Sequence, residues 1–227
     1  MITFDHVSVD KGEARVLSDL SLSLSEHRIG VIGRNGSGKS TFARLINGLE
    51  KPTSGTVTLF GETEPKTFKR HVGFVFQNPD NQIVYPNVAE DLAFGLKSSG
   101  LTKAQIAERI DEVLERFGLA ALRDRLTHQL SGGEKQMIAL AGVLVMQPRL
   151  IVFDEPTTLL DLVHREQFRV ILAELAQQAV VVSHDLDLVA DFDRLILIEA
   201  GRVLTDGPPS SVIEDYQRRS RLGSAPC

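Results

Sequence analysis

The chain has 227 residues, 42% of them hydrophobic, and a single cysteine, Cys227, at its end. That is enough for one large or two small packed domains, and it excludes a disulfide framework within the chain. A net charge of -5 argues against a general nucleic-acid binder, which needs a basic face for counterion release.

The first residues, Met1 to His6, carry no basic leader, and nowhere do about eighteen apolar residues run together. The expectation is a chain without signal peptide or membrane span, whose membrane role, if any, comes through a partner. Residues 1–9 and 16–24 alternate as strands around a turn at 11–13, which suggests an antiparallel hairpin. A short apolar strand over 28–32 leads into Gly-Arg-Asn-Gly-Ser-Gly-Lys-Ser-Thr at 33–41, and 42–49 has helical spacing. A turn over 51–55 precedes a strand over 56–61. Residues 72–76 read as a buried strand ending at Gln77, followed by a polar, turn-prone run over 78–82.

From 88 to about 142 the composition changes to helix formers, with helices expected over 88–96, 103–117, 119–123 and from 133 onward. Thr102 and Gln105 have capping-box spacing, and Ile106, Ile110, Val113, Leu114 and Phe117 form one apolar stripe. This reads as a helical subdomain inserted into an α/β core. Leu150 to Phe153 is a continuous apolar run, as in a strand buried on both faces, and it ends in Asp154-Glu155-Pro156. A helix over 165–176, a strand over 179–183 ending at His184 and a strand over 195–199 follow. Strands alternating with helices imply a parallel sheet with ligand groups at the strand ends. The expected organisation is one domain over 1–215 with a short polar tail over 216–227.

The stretch 33–41 has the make-up of a phosphate cradle. Gly33, Gly36 and Gly38 let the backbone turn so that amides, with Asn35 and Ser37 between them, face a phosphate chain. Lys39 adds a point charge, the Ser40 hydroxyl is placed for Mg²⁺, and the helix entered at Thr41 sets its positive end under the anion. Asp154 can reach a magnesium ion through water, opposite Ser40. Glu155 can polarise a water for attack on a γ-phosphate, and losing such a group costs ~10²- to 10⁴-fold. Gln77 and His184 each end an apolar strand. A histidine so placed is more often structural, but His184 follows a second core strand, where an imidazole can donate to a γ-phosphate.

Over residues 1 to about 215 the chain resembles the ATPase subunits of ATP-binding-cassette (ABC) transporters. Residues 33–41 look like the Walker A loop, Gln77 the Q-loop, 130–136 (Leu-Ser-Gly-Gly-Glu-Lys-Gln) the family signature, 150–155 Walker B, 158–161 the D-loop and His184 the switch histidine. The resemblance implies a P-loop NTPase core with a mixed or parallel sheet, an N-terminal antiparallel β subdomain and the inserted helical subdomain. It also implies ATP and Mg²⁺ as cofactors, with Ser40, Gln77 and Asp154 around the metal and Asp161 near the nucleotide. In the head-to-tail dimer of such proteins, Ser131 and the amides of Gly132 and Gly133 cap the γ-phosphate held by the other subunit's Lys39.

A narrower likeness lies in 76–84 and 89–95, which are similar to the ATPases of energy-coupling-factor importers of vitamins and transition-metal ions. Within that group 29–35 and 156–162 most resemble the ATPase of bacterial biotin importers. This implies a second ATPase subunit, expected to be identical, a transmembrane coupling subunit and a membrane specificity subunit, with no nucleic acid bound and no contact with the transported molecule. The place implied is the cytoplasmic face of the bacterial inner membrane, held peripherally. Cobalt or nickel remains the alternative cargo. A soluble ABC ATPase acting on DNA or ribosomes is the alternative class, though such proteins carry paired cassettes or long insertions and basic faces. A P-loop small-molecule kinase would leave 130–136 without a purpose. Two departures stand out. The first hairpin turn, 10–15, lacks the usual adenine-stacking aromatic, so base packing falls to Arg15 and Val16. The D-loop reads Thr158-Leu159-Leu160-Asp161, bulkier than its usual form.

Overall fold

The computed structural model describes residues 1–97 and 99–222. The chain begins with β1 (Ile2–Lys11), β2 (Ala14–Leu24) and β3 (Arg28–Ile32), enters α1 (Lys39–Ile46), and continues through β4 (Ser54–Leu59), α2 (Pro65–Phe68) and β5 (Val72–Val75). Then come α3 (Val88–Leu96), α4 (Lys103–Arg116), α5 (Gly132–Leu144), β6 (Leu150–Asp154), α6 (Leu162–Glu174) and β7 (Gln178–Val182). The last elements are α7 (Leu186–Val189), β8 (Arg194–Glu199), β9 (Arg202–Gly207) and α8 (Pro209–Leu222). These fall into two compact units, one of Met1–Val72, Val152–Glu155 and the chain from Gln178, the other of Gly73–Ile151 and Pro156–Gln177.

In the first unit β2, β1 and β4 make an antiparallel sheet. The simple alternation of β1 is interrupted between Phe4 and Val7, where His6 takes φ 50° and pairs with Asp19 at 2.7 Å. This irregularity re-aims Val7 and Val9 inward, so both stay buried with Ile2 and Phe4. Phe4 stacks on Phe42 of α1 with ring centroids 4.8 Å apart. Both rings are buried, and each such burial contributes about 2–3 kcal/mol. The N-terminal sheet is thereby fastened to the helix that follows the phosphate loop.

The second sheet has the order β5-β6-β7-β3-β8-β9. β3 is buried throughout and pairs in parallel with β7 and β8. Apolar runs rather than alternation are what a strand covered on both faces requires. β9 closes the edge in antiparallel fashion. It escapes a periodicity reading because its residues alternate only between exposed and half-buried.

The tail expected from residue 216 is corrected here, because 216–222 continue α8. Val212 is fully buried, and Asp215 accepts from Thr205 Oγ1 at 2.5 Å, from Arg219 Nε at 2.8 Å and from Arg218. These contacts anchor a segment that composition alone reads as polar and loose. The remainder of the expected tail, 223–227, lies outside the described residues.

The second unit is mostly helical and extends beyond the expected 88–142 on both sides. Its helices start where side chains satisfy the free first-turn amides. Asn87 caps α3, accepting from Glu90 N at 3.3 Å, and Thr102 with Gln105 forms the capping box of α4. Of the stripe on α4, Ile110 and Leu114 are buried, as is Phe117 just after it. The expected helix over 119–123 is a single 3-10 turn, Ala120–Leu122. α6 begins at Leu162, three residues before the expected start, because Asp161 caps it.

Candidate functional site

In the first unit β3 delivers the chain to Gly33, and the loop 33–38 ends on Gly38, which precedes α1 with φ 106° and no side-chain cap. The first-turn amides of α1 are thus left for another acceptor. A Cβ at Gly33 would stand 2.0 Å from Ile198 O, and one at Gly38 2.7 Å from Leu17 Cδ2 and 2.9 Å from Val16 O. Both positions require glycine on packing grounds as well as by backbone conformation. The loop is tied down by Gly201 N, which donates to Ser37 O at 3.0 Å, and by Ser37 N, which donates to Arg34 O at 3.2 Å. Ser37 Oγ is buried without a hydrogen-bond partner, whereas Asn35 and Gly36 are exposed.

Lys39 turns its ammonium back over the loop, donating to Gly33 O at 2.8 Å and Arg34 O at 3.0 Å. Burial pushes its pKa down, against the opposing pull of the Glu155 and Asp154 carboxylates. Ser40 Oγ donates to Asp154 Oδ1 at 2.9 Å, which brings together residues 114 apart in sequence. Burial also pushes Asp154 up, opposed by the Ser40 bond and the charges of Arg44 and Lys39. A hydroxyl and a carboxylate in contact, beside a buried ammonium, are a hard-oxygen donor pair of the kind that fits Mg²⁺.

Glu155 follows β6 at φ 52°, a left-handed backbone that costs a non-glycine residue about 1–3 kcal/mol. It is held there by its amide, which donates to Val182 O on β7 at 2.9 Å. Its carboxylate Oε2 accepts from His184 N at 3.2 Å and lies 2.6 Å from His184 Nδ1. A carboxylate acceptor puts the proton on Nδ1 and leaves Nε2 as the free polar atom of the ring. His184 is set by its neighbours: Ser183 N donates to Val31 O at 3.1 Å, and Asp185 caps α7. The side chain of Glu155 is 10% exposed and that of His184 62%, so the imidazole is the outward member of the pair.

Near the hairpin turn Arg15 is committed to a two-pronged pair with Asp10, at 2.8 and 3.1 Å, and Val16 is half-buried.

The other candidates lie in the second unit. Gln77 is exposed two residues beyond β5. The polar run after it is an ordered connector: Asn78 accepts from Asp80 N at 3.0 Å and caps a 3-10 turn, Pro79–Asn81. Three bonds fasten this connector to α5. Gln136 Nε2 donates to Phe76 O at 3.1 Å, Gln82 Nε2 to Ala139 O at 2.6 Å, and Lys135 pairs with Asp80 at 2.7 Å. Gln82 Oε1 also accepts from Phe76 N at 3.3 Å. The motifs 76–84 and 130–136 contain Gln82, Lys135 and Gln136 but give no sign of the bonds these residues make, because a contact between a loop and a helix 57 or 60 residues away leaves no local pattern.

Ser131 caps α5 in a second capping box, with Glu134 N donating to Ser131 Oγ at 3.2 Å and Ser131 N to Glu134 Oε2 at 2.7 Å. The Ser131 amide is the chief cause holding the Glu134 carboxyl below its usual range. Gly132 is exposed and Gly133 buried. Asp161 Oδ1 accepts from His164 N at 2.9 Å and lies 2.8 Å from His164 Nδ1.

The chain matches the family model for ABC transporters over residues 17–158. It is 48% identical over 218 residues to the biotin transport ATP-binding protein BioM of Rhizobium etli, covering 95% of this chain and 97% of that one. It is 38% identical over 234 residues to the energy-coupling factor transporter ATP-binding protein EcfA1 of Lacticaseibacillus paracasei, covering 98% and 84%. Among solved structures it is similar to cbiO1 from Clostridium perfringens, part of the ABC transporter complex cbiONQ, with a TM-score of 0.84, 30% identity, and coverage of 96% and 93%.

Proposed function

The chain belongs to the ABC transporter family of ATP-binding proteins, and from that premise we propose that it is the ATPase subunit of an energy-coupling-factor importer for a vitamin. Biotin is the cargo favoured, on the likeness to the Rhizobium etli biotin transport protein. The observation that carries the reading is the convergence of Lys39, Ser40, Asp154, Glu155 and His184 in the first unit.

In this reading the amides of 33–38 and the start of α1 hold the phosphates of ATP, and Lys39 exchanges its two carbonyl acceptors for phosphate oxygens. Mg²⁺, when bound, neutralises phosphate charge. Ser40 and Asp154 are the residues of the first unit that would hold it, directly or through water. Glu155 orients and polarises the attacking water, and His184, its Nδ1 proton tied to Glu155, presents Nε2 to the γ-phosphate. Arg15 and Val16 flank the base. Ser131, Gly132, Gly133 and Asp161 serve the nucleotide of a second, identical subunit placed head to tail. ATP binding then favours the closed pair and hydrolysis releases it, a population shift transmitted to a coupling subunit and a specificity subunit on the cytoplasmic face of the inner membrane.

Glu155→Gln tests this directly. The purified variant is expected to retain ATP with Mg²⁺ and to run as a dimer in light scattering, while hydrolysis falls ~10²- to 10⁴-fold. A variant that stays monomeric in ATP, even with its membrane partner, would refute the head-to-tail reading.

A further inference from the structure

Gly133 lies against the ring of His164. A Cβ there would stand 2.9 Å from His164 Nδ1, 3.2 Å from Cγ and 3.3 Å from Cε1. The φ of Gly133 is not among the positive ones, so its backbone conformation does not demand glycine. What demands it is the imidazole. That ring is fixed in turn: Asp161 Oδ1 bonds both the His164 amide, at 2.9 Å, and Nδ1, at 2.8 Å, and the side chain is only 23% exposed. One carboxylate oxygen therefore caps α6 and orients the ring of its third residue. At the preceding residue of α5 a Cβ would meet only ordinary contact, since at Gly132 it would lie 3.9 Å from Leu159 O and 4.0 Å from Leu159 Cβ.

We propose that His164 is a positioning residue: its ring, locked by Asp161, is the wedge that seats the Ser131–Gly133 helix start against the turn 158–161. The two segments would then present themselves to a facing subunit as one surface. The proposal rests on the reading that Ser131, Gly132 and Gly133 serve a partner's nucleotide. It also gives a reason for glycine at 133 that is independent of any phosphate. A ring held through Nδ1 by the same oxygen that caps its own backbone amide leaves the helix start little freedom to tilt, whereas alanine at 164 would leave a gap the size of an imidazole.

The test uses the full chain in the Glu155→Gln background with ATP and Mg²⁺. Adding His164→Ala is expected to weaken ATP-driven self-association about tenfold, within the range of coupling between residues in contact. Binding of a fluorescent ATP analogue by dilute monomer should be unchanged. His164→Phe, which keeps a ring and the backbone-amide bond to Asp161 but loses the Nδ1 bond, should restore association to within about threefold of the parent. Gly133→Ala should lose association, and Gly133→Ala with His164→Ala should associate no worse than Gly133→Ala alone, because the clash has been removed. Independently of any dimer, hydrogen exchange in the monomer should quicken at the Glu134 and Lys135 amides in His164→Ala and not in His164→Phe. Unchanged association in His164→Ala, multiplicative losses in the double variant, or unchanged exchange at Glu134 and Lys135 would each overturn the wedge. If the Glu155→Gln parent itself fails to associate, it is the head-to-tail reading that falls, and the exchange comparison still decides the role of His164.

Discussion

Lys39 and Asp154 carry opposite charges in one buried neighbourhood, and burial shifts both toward their neutral forms. Asp154, a carboxyl whose folded pKa is raised, favours the fold below its ordinary value near 4, and that contribution is lost as pH climbs through the raised value. Asp154→Asn, which can still accept from Ser40, removes the loss. The nucleotide-free variant should melt above wild type at pH 7, and the difference should close below about pH 4 in a differential scanning fluorimetry series. The same variant should lose Mg²⁺-dependent turnover. Lys39→Ala removes charge-assisted bonds worth about 1.5–3 kcal/mol, so ATP affinity should fall roughly tenfold to a hundredfold by calorimetric titration. The fold itself should survive, because losing the ammonium leaves two loop carbonyls, Gly33 O buried and Arg34 O partly so, without this donor at a cost of about 1–3 kcal/mol.

At the scale of elements, the connector 76–82 and α5 are joined by bonds of unequal worth. The Lys135–Asp80 pair has an aspartate side chain that is 63% exposed, which limits it to well under about 1 kcal/mol. Gln82 bridges Phe76 N and Ala139 O, and truncating it leaves partly buried polar groups unpaired at a cost of about 1–3 kcal/mol. Urea unfolding should therefore rank Gln82→Ala well below Lys135→Ala in stability. Equal losses would mean that the glutamine bridge is worth no more than the exposed ion pair. Because Gln77 sits inside this connector, whatever engages it is mechanically joined to the helix that begins at Ser131.

For the whole molecule, the relevant facts are a net charge of -5 and, among the described residues, no helix long and apolar enough to cross a membrane. In the proposed importer role the membrane crossing falls to partner subunits. Affinity purification from detergent-solubilised membranes should retain an integral membrane protein with this chain, and sucrose-gradient sedimentation should leave it apart from ribosomes and DNA. Co-sedimentation with ribosomes instead would favour the soluble, non-transport class.

What the residues determined unaided is local. Gly33 to Thr41 between an apolar strand and a helical pattern, Thr102 with Gln105, and the apolar run ending in Asp154 and Glu155 are all decided by backbone freedom, capping chemistry and burial within a few residues. The α/β architecture and the inserted helices follow from that punctuation. Composition reads 216–222 as part of a tail because the groups that hold α8, Thr205 and a buried Val212, announce themselves only when packed. The motifs already set Asp154 opposite Ser40; tertiary structure alone decided that the two share a hydrogen bond, that His184 rests on Glu155 and that His164 fills the space beside Gly133. Such contacts depend on strand register and helix seating across tens of residues, and no local pattern encodes them.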